Sequence, residues 1–298
     1  MKHRGLFRFM RLFVRPWVSP FRHPRLIQAI VYSLDFILGF LAVIGFSKLK
    51  ISAHLKADSL IETTLGARPV ILYLHGGAFA CHLPNAYRSL SRKLSKVCAA
   101  DIIMPDYRLA PQHKFPAGLD DCVASYEYLL DQGISPDTIA ICGDSAGGNF
   151  TFTTMVEIAR KGLPMPACAV TISPVVDVSG TADSITRNTG TEFYFSEKTI
   201  AAVKNCYLTG SETLGDPRLS PILADHTIFP PVLIQASYGE MLEDDAKNMQ
   251  KAICDAGGDA TIRLWSDVPH VFHMLNGIPE AKEAISDIGA FVKSHLKA

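Results

Sequence analysis

The 298-residue sequence has no surplus charge of either sign, because 29 basic side chains are matched by 29 acidic ones. No global field favours nucleic acid or an anionic substrate, and no nucleic-acid partner is expected. The seven cysteines are scattered singly, with no C-x-x-C pair and none grouped with histidine. That spacing argues against a disulfide framework and against a zinc site, and it suits a reducing compartment. Cys98, Cys122, Cys142 and Cys168 lie in or beside apolar runs and read as small core residues. There is no internal repeat and little low-complexity sequence. No small-residue cleavage site follows the long apolar run near the N-terminus, which argues against a cleaved signal.

What remains is a chain that is 48% hydrophobic and long enough to bury one large core without a second domain. Its charge is unevenly placed. Lys2, Arg4, Arg8, Arg11, Arg15, Arg22 and Arg25 precede any acid, which leaves 22 basic against 29 acidic side chains in the rest. Such an end suits an anionic surface. Residues 26–46 are apolar almost throughout, and their length is enough to span a bilayer. Asp35 at the middle would cost about 2.5–3.5 kcal/mol there, while each large apolar residue returns about 0.3–0.6. Gln28, Tyr32, Asp35 and Gly39 fall on one narrow helical stripe, as expected of a helix over an apolar pocket or in a membrane interface. Residues 1–50 are therefore expected to cap the catalytic domain of residues 51–298, ahead of anchoring it. The expected location is cytoplasmic, with membrane-surface contact through the N-terminus as the alternative. The sequence does not speak to oligomeric state.

From about residue 48, short apolar runs alternate with helix-like segments, the pattern of a mostly parallel sheet flanked by helices. Expected strands are 70–74, 102–105, 139–142, 167–172, 232–236 and 261–264. Expected helices are 87–99, 118–132, 149–161, 244–256 and 279–296. Residues 183–220 break the rhythm with a polar, aromatic-bearing stretch of weak strand character. They are expected to be a cap insertion over the strand ends, where open α/β sheets bind ligands.

The strongest local signal is Gly143-Asp144-Ser145-Ala146-Gly147, directly after one expected strand and before a helix. G-x-S-x-G in that context is a nucleophile elbow. Glycines flank the serine because its backbone must turn so sharply that neighbouring side chains would clash. Upstream, His75-Gly76-Gly77 ends another strand, and its bare amides could hold a developing oxyanion together with the amide of Ala146. Taken alone, an ordinary tight turn with a structural His75 explains this motif as well. Acid and base should follow the elbow in chain order. Gly239-Glu240-Met241-Leu242-Glu243-Asp244-Asp245 and Pro269-His270-Val271-Phe272-His273 both follow strands. His270 is the better base because it lies nearest its strand, with His273 as the fallback. Glu240 is the expected acid, with Asp244 and then Asp245 behind it.

At this point the chain resembles the hormone-sensitive-lipase-like family of α/β hydrolases. The matching motifs are His75-Gly76-Gly77, Asp106-Tyr107-Arg108-Leu109-Ala110-Pro111 with Phe115-Pro116-Ala117, Gly143 to Gly148, Ser173-Pro174, Asp216-Pro217 with Ser220-Pro221, and the Glu240 and His270 loops. The resemblance implies the α/β-hydrolase fold with a helical cap and a serine carboxylesterase or lipase activity. It implies no metal and no organic cofactor. It also implies that Asp106, Arg108 and Asp144 are supporting rather than reacting groups. Two features depart from the family pattern. Ala78 stands where a third glycine is common, which retains the amide, and the acid is glutamate rather than the more frequent aspartate.

The expected reaction is acyl transfer through Ser145, with His270 as base, Glu240 as its orienting acid, and Gly76, Gly77 and Ala146 at the oxyanion. Phe79, Phe193, Tyr194 and Phe195 suggest an apolar acyl pocket for uncharged esters of short or medium chain. The rivals are a lipid or amide hydrolase at a membrane, and a non-catalytic binding protein on the same scaffold.

Overall fold

The computed structural model describes Asp35 and residues 46–297. Of residues 1–50, expected as cap or anchor, only Asp35 and residues 46–50 are described, and Ser47–Lys50 form a strand of the catalytic sheet rather than part of a cap. Eight strands form one sheet in the order β1-β2-β4-β3-β5-β6-β7-β8. They are β1 (Ser47–Lys50), β2 (Lys56–Leu60), β3 (Val70–Leu74), β4 (Asp101–Pro105), β5 (Ile139–Asp144), β6 (Cys168–Ile172), β7 (Val232–Ser237) and β8 (Ala260–Trp265). From β4 to β8 all neighbours are parallel, whereas β1 and β2 join antiparallel at one edge.

Helices cover both faces, which is why β3 to β7 are buried along their whole length and read as continuous apolar runs. On one face α1 (Pro84–Cys98) sets Tyr87, Leu90 and Leu94 in one cluster with Ile285, Ile288 and Val292 of the C-terminal helix (Pro279–His295). On the other face α2 (Ala117–Asp131), α3 (Ala146–Arg160) and the helix Glu243–Asp255 pack around Phe150, Phe152 and Met249. In chain order two further helices, α4 (Asp183–Arg187) and α5 (Glu197–Tyr207), precede the helices at Glu243 and Pro279, which become α6 and α7.

Three differences from the sequence reading have physical reasons. The antiparallel strands β1 and β2, at one side of the sheet, carry no strand signal because their composition is polar. Asp58 is buried, and it is tolerated because Arg88 Nε and Lys48 Nζ approach it at 2.9 and 2.8 Å. Residues 183–220 contain helices of the expected cap, α4 and α5, in place of the weak strand character of their sequence. Helix α5 starts at a capping box between Ser196 and Thr199, and Ile200, Val203 and Tyr207 follow at helical spacing along one cavity wall. Asp35, weighed above as an obstacle to insertion, is buried and accepts the amides of Asn85 and Ala86 at 3.0 Å each. It thereby caps α1, whose first turn otherwise carries no acid. Among the described residues no helix is long and apolar enough to cross a membrane. All seven cysteines are unpaired, and all but Cys254 are buried.

Strand register is what assembles the site. Leu74 pairs with Gly143, so the His75 loop leaves β3 beside the Asp144-Ser145 turn that ends β5. Ser237 pairs with Trp265, so the loops after β7 and β8, carrying Glu240 and His270, also leave side by side.

Candidate active site

Ser145 sits between β5 and α3 with φ 54° and ψ −119°, a region that L residues rarely occupy and that costs about 1–3 kcal/mol. The flanking glycines are obligatory for steric reasons. A Cβ on Gly143 would lie 2.3 Å from Gly147 O, and one on Gly147 would lie 1.9 Å from Leu74 O. The turn is fixed by Ser145 N donating to Ile172 O at 2.8 Å and Val175 N donating to Ser145 O at 3.2 Å.

The loops after β7 and β8 meet in a buried, hydrogen-bonded carboxylate–imidazole pair. His270 Nδ1 lies 2.8 Å from Glu240 Oε2, and Ser237 N donates to Glu240 Oε1 at 2.9 Å. An ionised carboxylate only accepts, so Nδ1 carries the proton and Nε2 is the free basic atom. That Nε2 is buried and has no hydrogen-bond partner among the described residues. Ser237 Oγ donates to Pro269 O at 2.9 Å and ties the two loops together. The charge of Asp144 also favours the protonated form of His270.

The alternatives weighed on sequence are placed elsewhere. Asp244 is held by Arg187 at 2.6 Å and by Ser184 N at 2.9 Å. Asp245 accepts from Val176 N at 2.9 Å, and burial pushes its carboxyl up to about 7. His273 is bonded through Nε2 to Gln235 Oε1 at 2.7 Å, and burial pulls it down to about 3. Arg108 is held in a fork by Asp121, with both contacts at 2.9 Å, and Asp106 accepts from Lys48 Nζ at 2.6 Å.

Asp144 supports the site. Its carboxylate accepts Tyr73 Oη at 2.9 Å, Tyr87 Oη at 2.9 Å and Gly76 N at 3.0 Å. Burial pushes it up to about 6, against these hydrogen bonds, which favour the ionised form. This corrects one expectation from sequence. The Gly76 amide is engaged by Asp144, and so is not available to an oxyanion. A Cβ on Gly76 would lie 2.3 Å from Asp144 Oδ2, so the glycine is needed for that close approach. The next residues turn through positive φ, at 122° for Gly77, 56° for Ala78 and 59° for Phe79. The amides of Gly77, Ala78 and Ala146 have no partner among the described residues. Successive amides in such a turn form an anion-binding concavity, and Ala146 adds a helix N-terminus.

The Phe195 ring stands edge-on to His270 at 5.0 Å. Phe79 stacks on Tyr207 at 4.0 Å. Together with Val175, Ile185, Ile200 and Val203 they line a cavity of about 50 Å³, and Val175 in its wall donates its amide to Ser145 O. Among the described residues no group of histidine, cysteine or acidic side chains could hold a metal ion.

A strained serine at a strand-to-helix elbow, a buried carboxylate–imidazole pair and unpaired loop amides define a serine hydrolase. The matching family model, described as alpha/beta hydrolase fold, covers residues 71–274. The chain is 35% identical over 225 residues to an acetyl-hydrolase of Streptomyces hygroscopicus, covering 75% of each chain. It is 33% identical over 235 residues to an esterase of Acinetobacter venetianus, covering 78% of each. The crystal structure of an esterase from the bacterial hormone-sensitive lipase family superposes with a TM-score of 0.84 at 32% identity, covering 91% of both chains. The chain belongs to the hormone-sensitive-lipase family of α/β hydrolases, and it is a carboxylesterase- or lipase-type serine hydrolase acting on esters.

The charge on His270 leads to a pH prediction. Burial pulls the imidazole down, but the Glu240 hydrogen bond and charge, with the charges of Glu192 and Asp144, outweigh it and leave the group raised above 6.5. A base must be neutral to accept a proton, so kcat/KM is expected to fall as pH drops through a value above that of ordinary imidazole. A pH–rate profile checks this, and an acidic limb below 6.5 would count against the carboxylate–imidazole pair.

Proposed function

We propose that the chain hydrolyses uncharged esters of short acyl chain, with Ser145 as nucleophile, His270 as general base and acid, and Glu240 as the orienting carboxylate. Ser145 Oγ attacks the ester carbonyl while its proton passes to His270 Nε2. The oxyanion is held by the amides of Gly77, Ala78 and Ala146, which need no reorganisation as charge develops. Nε2 then protonates the departing alcohol. Water, deprotonated by the same atom, attacks the acyl-enzyme and releases the acid. Glu240 keeps the proton on Nδ1 throughout and stabilises the imidazolium.

The observation that carries the acyl-length part is the small, largely apolar cavity lined by Phe79, Val175 and Tyr207, of which Val175 is bonded through its amide to Ser145 O. Its roughly 50 Å³ is far below the ~300–1,000 Å³ of sites that enclose drug-sized ligands. It suits acetyl to butyryl groups, and the Streptomyces relative is named an acetyl-hydrolase. For the apolar N-terminal segment the same reading favours a cover on the domain, because Asp35 within it is bonded to α1.

A chromogenic ester series of increasing acyl length tests this. Each methylene that fits should raise kcat/KM by up to about fourfold, which is ~0.8 kcal/mol of apolar burial. The first that does not fit should lower it, because overpacking costs about 1–3 kcal/mol. Val203→Ala should move the optimum to a longer chain. An optimum at octanoyl or beyond in the wild type would sink the short-acyl reading.

A further inference from the structure

The loop that carries Glu240 is held by one stretch of the cap. Thr191 Oγ1 donates to Gly239 O at 2.6 Å, and Asn188 Nδ2 donates to Glu240 O at 2.8 Å. Ser184 Oγ donates to Met241 O at 2.7 Å, and Met241 N donates to Glu192 Oε2 at 3.0 Å. Three consecutive carbonyls and an amide around the acid are thus satisfied from residues 184–192. The other oxygen of Glu192 accepts Tyr194 N at 2.8 Å, at the head of the aromatic pair whose Phe195 ring stands against His270. Glu192 is itself only 1% exposed. One buried carboxylate therefore joins the acid loop to the residues covering the base.

We propose that Glu192 is a positioning residue for acyl transfer, which anchors the Met241 and Tyr194 amides and so holds Glu240 and Phe195 in place about His270. It acts through its neighbours and touches no reacting atom. A hydrogen-bonded network of this kind fixes geometry to within the fraction of an ångström that proton transfer requires. Its charge adds a second effect. The ionisable groups facing His270 are Glu240 after β7, Glu192 in the cap, Asp144 at the end of β5 and His273 on the same turn. Of these, Glu192 supports the imidazolium formed during the reaction without bonding to it.

This inference rests on the reading of Ser145, His270 and Glu240 as a triad. That reading fails if the wild type turns over no ester, whereas the variants below are compared only with an active wild type. Glu192→Gln keeps the volume but loses the charge and one acceptor. It is expected to lower kcat about tenfold with KM changed less than about threefold, and to move the acidic limb of the pH profile to lower pH. Thr191→Val removes a bond to the same loop without touching charge, and should cost some kcat while leaving the limb in place. Wild-type kcat in folded Glu192→Gln, or a loss with the limb unmoved, overturns the proposal. If that variant folds poorly, Glu192→Asp carries the test. Its shortened carboxylate should keep the limb and lose kcat, and wild-type kcat would again overturn the idea.

Discussion

Replacing Ser145 by alanine is expected to lower kcat/KM on short-chain esters by roughly 10⁵- to 10⁶-fold, because nucleophile and base act as a unit. The residual rate would come from binding and the oxyanion amides alone. Stability should barely move. Ser145 Oγ has no hydrogen-bond partner among the described residues, and alanine keeps the Cβ, so the strained backbone is unchanged and the cost stays below about 1 kcal/mol. Ser145→Gly should be equally inactive yet more stable by about 1 kcal/mol, because glycine occupies a positive φ without a Cβ penalty. Turnover measured beside thermal denaturation separates these effects. A Ser145→Ala enzyme with more than about a hundredth of wild-type activity would remove the serine from the mechanism.

Glu240→Gln is the second large effect expected, a fall in kcat of roughly 10³- to 10⁴-fold. The reason lies in the two bonds the carboxylate makes. One oxygen accepts from Ser237 N and the other faces His270 Nδ1, whereas a glutamine has one acceptor and one NH₂ group. Turned one way, the NH₂ meets the Ser237 amide as donor against donor. Turned the other way, it meets Nδ1, moves the proton to Nε2 and disables the base. Either way the charge that supports the imidazolium is gone, so the acidic limb should also shift to lower pH. Asp244→Asn provides the contrast. That residue bonds Arg187 and the Ser184 amide, so its loss should cost stability and change kcat only a few fold. Comparable losses of kcat from the two variants would contradict the assignment of Glu240.

Much of the scaffold was legible because its signals are local. Expected strands and helices between residues 70 and 296 match the observed elements to within about three residues at their ends, as is usual for boundaries read from sequence. The polar strands β1 and β2 were not legible, because Asp58 is made apolar in effect only by Lys48 and by Arg88 from another element. The helices of residues 183–220 could have been inferred from Ser196 and Thr199, three apart, followed by Ile200, Val203 and Tyr207. The supporting residues Tyr73, Tyr87 and Glu192 carried no signal, since a buried tyrosine or glutamate looks like any other until its partner is known.

The sequence by itself determined the turn that presents Ser145, because the constraint is steric and acts between adjacent residues. Only glycine fits at 143 and 147, and that can be read from five letters. It also determined the parallel order of the sheet, through apolar runs of strand length set between helices. Tertiary structure decided everything that depends on which distant groups meet. It paired His270 with Glu240 through the register that sets β7 beside β8, and it bonded Asp244, Asp245 and His273 to other partners. It engaged the Gly76 amide with Asp144 and left those of Gly77 and Ala78 without a partner among the described residues. It made Asp35 a helix cap. Each of these is a hydrogen bond between residues far apart in the chain, and such a bond depends on distances of a few tenths of an ångström that no local pattern encodes.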